Sequence, residues 1–411
     1  MQRRLMVDVT PLRVSAPYRR LWLGTTVAQI GQQMTAVAVA LQVYGLTGSS
    51  FAVGMVGAAA LGPLVLFGLY GGAIADSHDR RLVALGASAG LWVCSLLLLM
   101  QSWAGWGQLW VLYAVVAVQS GFFAVNNPAR AAILPRLLGR DLLPSANALS
   151  TVSWNLGFTA GPLLGGAVVA AFDLTAAYAV DAVTFAAALY AVARLPSIPP
   201  EGEVRRVGLR AVAEGLRFLR SRRNLLMTFM VDLAAMVLAQ PRALFPALAV
   251  TVYGGGPRTV GLLAAAPAVG ALGAAAFSGW LSQVRWQGRT VLVMVIGYGI
   301  SIAAFGLTGA LGVALVFLAL SGGFDMVSAV FRSTILQVAT PDELRGRLQG
   351  VFIVVVAGGP RLGDALAGSM ATAFGETFAI VAGGTACVLV VSALAARFTS
   401  FARYDARDPV A

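Results

Sequence analysis

Residues 71–81 read Gly71-Gly72-Ala73-Ile74-Ala75-Asp76-Ser77-His78-Asp79-Arg80-Arg81, a charged strip between two apolar runs, 51–75 and 82–102. Asp76 closes the first run, and Arg80 and Arg81 open the second. Each run exceeds the roughly 18 residues that cross a hydrocarbon core of about 30 Å as a helix. The strip is therefore a turn between two membrane crossings.

The same pattern recurs outward in both directions. Of 411 residues, 58% are hydrophobic and 11% charged, outside the range of a soluble domain on both counts. Twelve spans are expected, near 20–44, 51–75, 82–102, 108–129, 145–171, 174–195, 225–252, 259–282, 290–308, 311–333, 346–372 and 376–398. The first 20 residues carry Arg3, Arg4, Arg13, Arg19 and Arg20 and no separate short apolar core, so no cleaved signal peptide is expected.

All 29 basic residues are arginine, and they follow the spans rather than forming a nucleic-acid patch. With the N-terminus inside, 26 fall in the tails, in alternate loops or at the adjoining span ends, leaving Arg242, Arg258 and Arg361. Only Arg258 lies in an outer loop. The positive-inside bias thus expects a multi-pass protein of the cell inner (plasma) membrane with both termini cytoplasmic. Cys94 and Cys387 lie within spans and read as small apolar packing residues rather than a disulfide framework.

Residues 196–224 interrupt the spans with Pro196, Pro199 and Pro200, followed by a basic stretch over 207–223. There Val212, Leu216 and Leu219 share one helical face and Arg210, Arg217 and Arg220 the other, the pattern of an amphipathic linker helix at the membrane surface. Three regions follow: a six-helix bundle over 1–195, the linker 196–224, and a second six-helix bundle with a short tail over 225–411. The bundles echo each other. Ala129-Arg130-Ala131-Ala132-Ile133-Leu134-Pro135 resembles Phe331-Arg332-Ser333-Thr334-Ile335-Leu336-Gln337, and 72–76 resembles 279–283 at nearly the same offset. A duplicated six-helix unit produces such an offset.

With this layout, residues 71–81 resemble the loop motif of the major facilitator superfamily, G-x-L-A-D-R-x-G-R-[KR]. Gly72, Ala75, Asp76, Arg80 and Arg81 match, Ile74 substitutes conservatively, Ser77 replaces an arginine and Asp79 a glycine. The Asp79 form is similar to the branch containing enterobactin exporters and macrolide efflux pumps. Tyr18-Arg19-Arg20-Leu21-Trp22, Gly121-Phe122-Phe123 and 340–347 extend that likeness over most of the chain. The resemblance implies the major facilitator fold, an all-α membrane protein of 12 transmembrane helices in two six-helix bundles. It implies an inner gate at Gly72, Asp76, Arg80 and Arg81, where Asp76 pairs with Arg80 or a helix N-terminus until the halves rock. His78 in this loop reads as a solvated side chain.

Gly157-Phe158-Thr159-Ala160-Gly161-Pro162-Leu163-Leu164-Gly165-Gly166 fits G-x-x-x-G-P-x-x-G-G, which in this superfamily marks antiporters. Gly157, Gly161 and Gly165 recur every fourth residue and form a smooth stripe for a neighbouring helix. Pro162 removes a helical hydrogen bond, and Gly166 completes the motif. The arginine that many drug/proton antiporters carry in the fourth span is replaced, with Val116 near its position.

A charge at the bilayer centre costs about 2.5–3.5 kcal/mol on insertion scales, so buried charges ask for a partner or a role. Asp181, Asp232, Arg242, Asp325, Arg361 and Asp364 are such residues. Arg361 and Asp364 stand three apart and are able to pair. Asp325 has Gly322 and Gly323 beside it, which admit water or a neighbouring backbone. Asp232, Asp325, Asp364, Arg361 and Asp181 are the proton-coupling candidates. Gln29, Gln33, Asn126, Trp154 and Asn155 are candidates for a substrate cavity, where apolar walls meet a few polar anchors.

No cofactor, metal or catalytic site is expected. Gly86-Ala87-Ser88-Ala89-Gly90 matches the serine-hydrolase elbow but falls inside a span, and the single histidine lies in the preceding loop. Without lysine, a phosphate-cradling ATPase loop is excluded. The leading expectation is a secondary active exporter of a small amphipathic drug or siderophore, exchanging protons by alternating access; the resemblance implies a monomer, as is usual in the superfamily. Its rivals are an importer of the same fold and a non-transporting membrane sensor or scaffold.

Overall fold

The computed structural model describes residues 8–199, 217–219, 222–339 and 342–405; within these, the side chains of 69, 71–73, 75–77, 140, 282 and 342–354 lie outside the description. The linker segment 200–216 and the Gly72 and Asp76 side chains are thus outside the described residues.

Long apolar runs fold into long helices because a helix satisfies every backbone polar group internally, as lipid requires. In chain order these are α1 (Thr10–Val14), α2 (Ala16–Thr47), α3 (Ser50–Ser77), α4 (Arg80–Trp103), α5 (Leu109–Leu137), α6 (Leu143–Ala171) and α7 (Leu174–Ala193). There follow α8 (Arg223–Leu238), α9 (Phe245–Thr251), α10 (Pro257–Ala276), α11 (Gln287–Leu307), α12 (Leu311–Ala339), α13 (Asp342–Phe374), α14 (Glu376–Arg397) and α15 (Thr399–Ala402). The turns use residues that break helices. Gly375, alone between α13 and α14, takes φ +89, a left-handed conformation that a Cβ would strain.

Nine helical segments among the described residues are long and apolar enough to cross a membrane: α3 to Gly68, α4, α5, α7, α8 with α9, α10, α11, α12 and α14. Helices α2 and α6 span 32 and 29 residues but carry amides, hydroxyls and glycines that lower their mean hydropathy. The protein is a multi-pass membrane protein.

The span expected over 225–252 is interrupted. Helix α8 ends at Leu238, and a 3-10 turn, Arg242–Leu244, precedes α9. Pro241 has no N–H to continue the ladder, and Pro246 suits only the first turn of a new helix. The Ala239 carbonyl freed by the break accepts the Tyr298 hydroxyl at 3.0 Å.

Contacts divide the chain into two compact units, Met1–Gln42 with Gly62–Val207, and Val43–Leu61 with Gly208–Ala411. In the first, Leu21, Ala84, Ala129, Ile133, Val192, Leu195 and Ile198 form one buried cluster, and Ala28, Leu91, Phe185 and Ala188 another. Between the two Gln side chains of Gln42 and Gln101 run reciprocal amide hydrogen bonds of 3.0 Å, and Tyr178 Oη donates to Gln42 at 2.6 Å. In the second unit α10 and α12 approach closely: a Cβ at Gly322 would collide with the Pro267 carbonyl. The small residue Gly322 thus admits a neighbouring backbone.

Candidate functional site

In the first unit, α2 and α6 are joined along one face. Toward their N-terminal halves the ties are polar: Tyr18 Oη donates to Ala146 O at 3.3 Å, Trp22 Nε1 to Leu149 O at 3.0 Å, and Thr26 and Ser153 hydroxyls meet at 2.6 Å. Further along, the glycine stripe takes over. A Cβ at Gly157 would strike the Gln29 side chain, one at Gly161 would lie 2.9 Å from Ile30 O, and one at Gly165 would lie 2.9 Å from Met34 Cα. Pro162 lacks the N–H that would bond Phe158 O, so the ladder is loosened inside the stripe.

Beside this seam opens a cavity of about 470 Å³. Of the five cavity candidates, Gln29, Asn126 and Trp154 line it; Gln33 and Asn155 do not, and Gln33 lies against Gly161 instead. Its aromatic wall is ordered, with Trp154 stacked on Phe158 at 5.5 Å and edge-on to Phe123 at 6.5 Å. Among the described residues, buried Gln29 Nε2 and Asn126 Oδ1 have no hydrogen-bond partner. Asn127 and Arg130 also line it and were not among the expected cavity residues. Arg130 stood in the repeat echo, read there as a sign of duplication rather than as part of a site.

Two candidate carboxylates meet in the second unit. Arg332 Nη1 donates to Asp232 Oδ1, and its Nη2 to Asp325 Oδ1 at 3.3 Å. Arg332 and Asp232 side chains are 7% and 6% exposed, whereas Asp325 is 39% exposed. One arginine therefore bridges a sealed carboxylate and a half-open one. Its place at the end of an expected span concealed it as a site residue.

Arg361 and Asp364 form no ion pair within 4.0 Å among the described residues; the guanidinium donates to Ala357 O at 2.6 Å, while Asp364 lies in the field of Arg242 and Arg361. Asp181 is fully buried in the first unit, where Ser95 Oγ donates to it at 2.7 Å.

The motif arginines cap helix carbonyls. Arg81 Nη2 donates at 2.7 Å to Ala193 O, the last residue of α7, and Arg80 Nη1 reaches Ala132 O at 3.5 Å. Cations suit the negative end of a helix. Asp79, in place of the family's glycine, is the N-cap of α4, accepting from Arg81 N at 2.8 Å. It also accepts from Ser197 Oγ at 2.5 Å and Ile198 N at 3.2 Å, while Arg80 N donates to Ile198 O at 3.1 Å. Slight burial pushes its carboxyl up, but the bonds from Ser197, Ile198, Arg81 and Leu82 outweigh this and hold it below the usual carboxylate range. A lowered folded pKa means that the contribution is complete above the unfolded value near 4 and fades as pH falls through the folded one. Asp79→Ala is expected to lower stability by about 1 kcal/mol at pH 7. Thermal unfolding in detergent at pH 7 and pH 3 checks this, with the gap between variant and parent narrowing at the lower pH.

A family profile described as transmembrane secretion effector matches residues 7–411. The enterobactin exporter of Citrobacter koseri is 28% identical over 371 residues, covering 89% of this chain and 88% of that one. Among solved structures, a POT family transporter in complex with 5-aminolevulinic acid superposes with TM-score 0.77 at 12% identity, over 94% of this chain and 97% of that one. A bacterial homolog to the human lysosomal transporter Spinster, inward-facing and unoccupied, gives TM-score 0.72 at 14% identity, over 98% and 99%.

Proposed function

We propose, from the premise that this chain belongs to the transmembrane secretion effector family of the major facilitator superfamily, that it exports a small amphipathic molecule by alternating access coupled to proton entry. Membership makes it a membrane transporter. The finer reading is carried by the first-unit cavity, whose apolar rings and few amide anchors suit an amphipathic guest. The glycine seam supports it, since the fifth-span motif that in this superfamily accompanies antiport packs α6 against α2, the two helices whose N-terminal halves contribute to the cavity lining.

The remaining assignments belong to the same proposal: twelve crossings with both termini cytoplasmic in the inner membrane, a monomer, and bundles over 1–195 and 225–411 joined by 196–224. Residues 72, 76, 80 and 81 form the inner gate. Protons are carried by one or more of Asp232, Asp325, Asp364 and Asp181, with Arg361 tuning Asp364. The Arg332 bridge supports Asp232 and Asp325 most directly, because protonating either carboxylate would release half of the arginine's partners.

The test is uptake into inside-out vesicles energised by a pH gradient, with enterobactin, a macrolide and a tetracycline as probes. At least one compound should accumulate only in vesicles that contain the protein, and a protonophore should abolish it. Equal accumulation with and without the protein rejects export. Neutral Asn variants at all four aspartates that keep full gradient-driven uptake reject the coupling assignment.

A further inference from the structure

We infer that the substrate is an aromatic anion and that Arg130 is its counter-charge. The inference deepens the export reading and rests on it. Arg130 and Arg332 hold the same position in the echoing stretches 129–135 and 331–337, near the ends of α5 and α12. Equivalent arginines in a duplicated unit would be expected to have equivalent partners. They do not.

Arg332 is neutralised by Asp232 and by Asp325, seven residues earlier on its own helix. Seven residues before Arg130 stands Phe123, an aromatic ring on the cavity wall. Among the described residues no carboxylate lies within ion-pair distance of Arg130; its side-chain partner is Ser88 Oγ at 3.3 Å, and its buried Nε has none. Among the described residues, no acidic side chain lines the cavity. The first unit therefore keeps the cation and replaces the internal anion with a ring.

A guanidinium in apolar surroundings is costly without an opposite charge, and its planar fork matches a carboxylate, sulfonate or phenolate oxygen. Gln29 Nε2 and Asn126 Oδ1, unpartnered and buried on the same cavity, supply one further donor and one acceptor. Trp154 and Phe123 supply faces for an aromatic body. A cationic guest would meet repulsion from Arg130 and no carboxylate to offset it.

The experiment uses the whole chain in lipid nanodiscs and two dyes that differ by a sulfonate: 8-anilinonaphthalene-1-sulfonate and the uncharged N-phenyl-1-naphthylamine. Binding is read by equilibrium dialysis with empty discs subtracted. The parent protein should hold the sulfonate at least about tenfold more tightly than the neutral dye, in line with one charged hydrogen bond. Arg130→Gln should weaken the sulfonate about 10- to 100-fold and the neutral dye less than about twofold, with Arg130→Lys recovering part. Phe123→Asp, which gives Arg130 the kind of partner Arg332 has, should weaken the sulfonate in the same direction. Equal binding of both dyes to the parent, or equal loss of both in Arg130→Gln, overturns the inference. No gradient is involved, so failure of vesicle uptake with dye discrimination intact would reject export and leave the charge selectivity standing.

Discussion

Arg332→Leu is expected to destabilise the second unit by about 3–5 kcal/mol, the largest effect of any single replacement considered. Removing the guanidinium leaves Asp232, 6% exposed, charged and without its cation, while 39%-exposed Asp325 can turn to water. Apolar replacement of both sealed partners should behave differently. Arg332→Met with Asp232→Leu removes the charge and its penalty together, and stability should return to within about 1–2 kcal/mol of the parent. Urea-assisted thermal unfolding of the purified protein measures both. If the cluster also carries protons, the repaired double variant will fold yet fail in gradient-driven uptake. A single variant within about 1 kcal/mol of the parent would show the bridge to be dispensable.

Gly165→Leu is expected to cost about 1–3 kcal/mol and to suppress transport, because overpacking a close helix contact forces the backbones apart. The obstacle is main chain: a Cβ there would lie 2.9 Å from Met34 Cα and 3.0 Å from Met34 O, neither of which can swing aside as a side chain would. Separating α2 from α6 would also disturb the cavity beside their seam. The control is Leu164→Ala, one residue away with 47% of its surface exposed, expected within about 0.5 kcal/mol of the parent. Thermal unfolding and vesicle uptake of the pair separate a packing effect from a general intolerance of substitution in α6. Equal behaviour of the two variants would refute the seam.

Much of the fold was legible in the sequence because bilayer thickness sets a length that apolar runs must match. Helix α4 begins and ends within two residues of its expected span, 82–102. The break in 225–252 was not legible from averaged hydropathy, since the apolar residues on either side outweigh Gln240, Pro241 and Arg242 over a span-length window. What ends the helix is a missing N–H, a local stereochemical fact. For the site, Asp232 and Asp325 stood out because charge inside an apolar run is costly, yet their partner is 100 residues away from Asp232. Arg332 carried the cost signal too but lay where a span end explains an arginine. The Gln42, Gln101 and Tyr178 network had no periodic signature, since each residue comes from a different helix and only folding unites them.

The Asp79 contacts bear on how the protein is made. Asp79 and Ser197 are 118 residues apart, so while the chain is emerging from the ribosome the start of α4 stays unfastened until α7 has been synthesised. Ser197 and Ile198 then close a loop that contains four complete helices, and this tie can form before residues 208–411 of the second unit are translated. Truncation before Ser197 would release a nascent product lacking that closure, whereas truncation just after Pro199 would keep it.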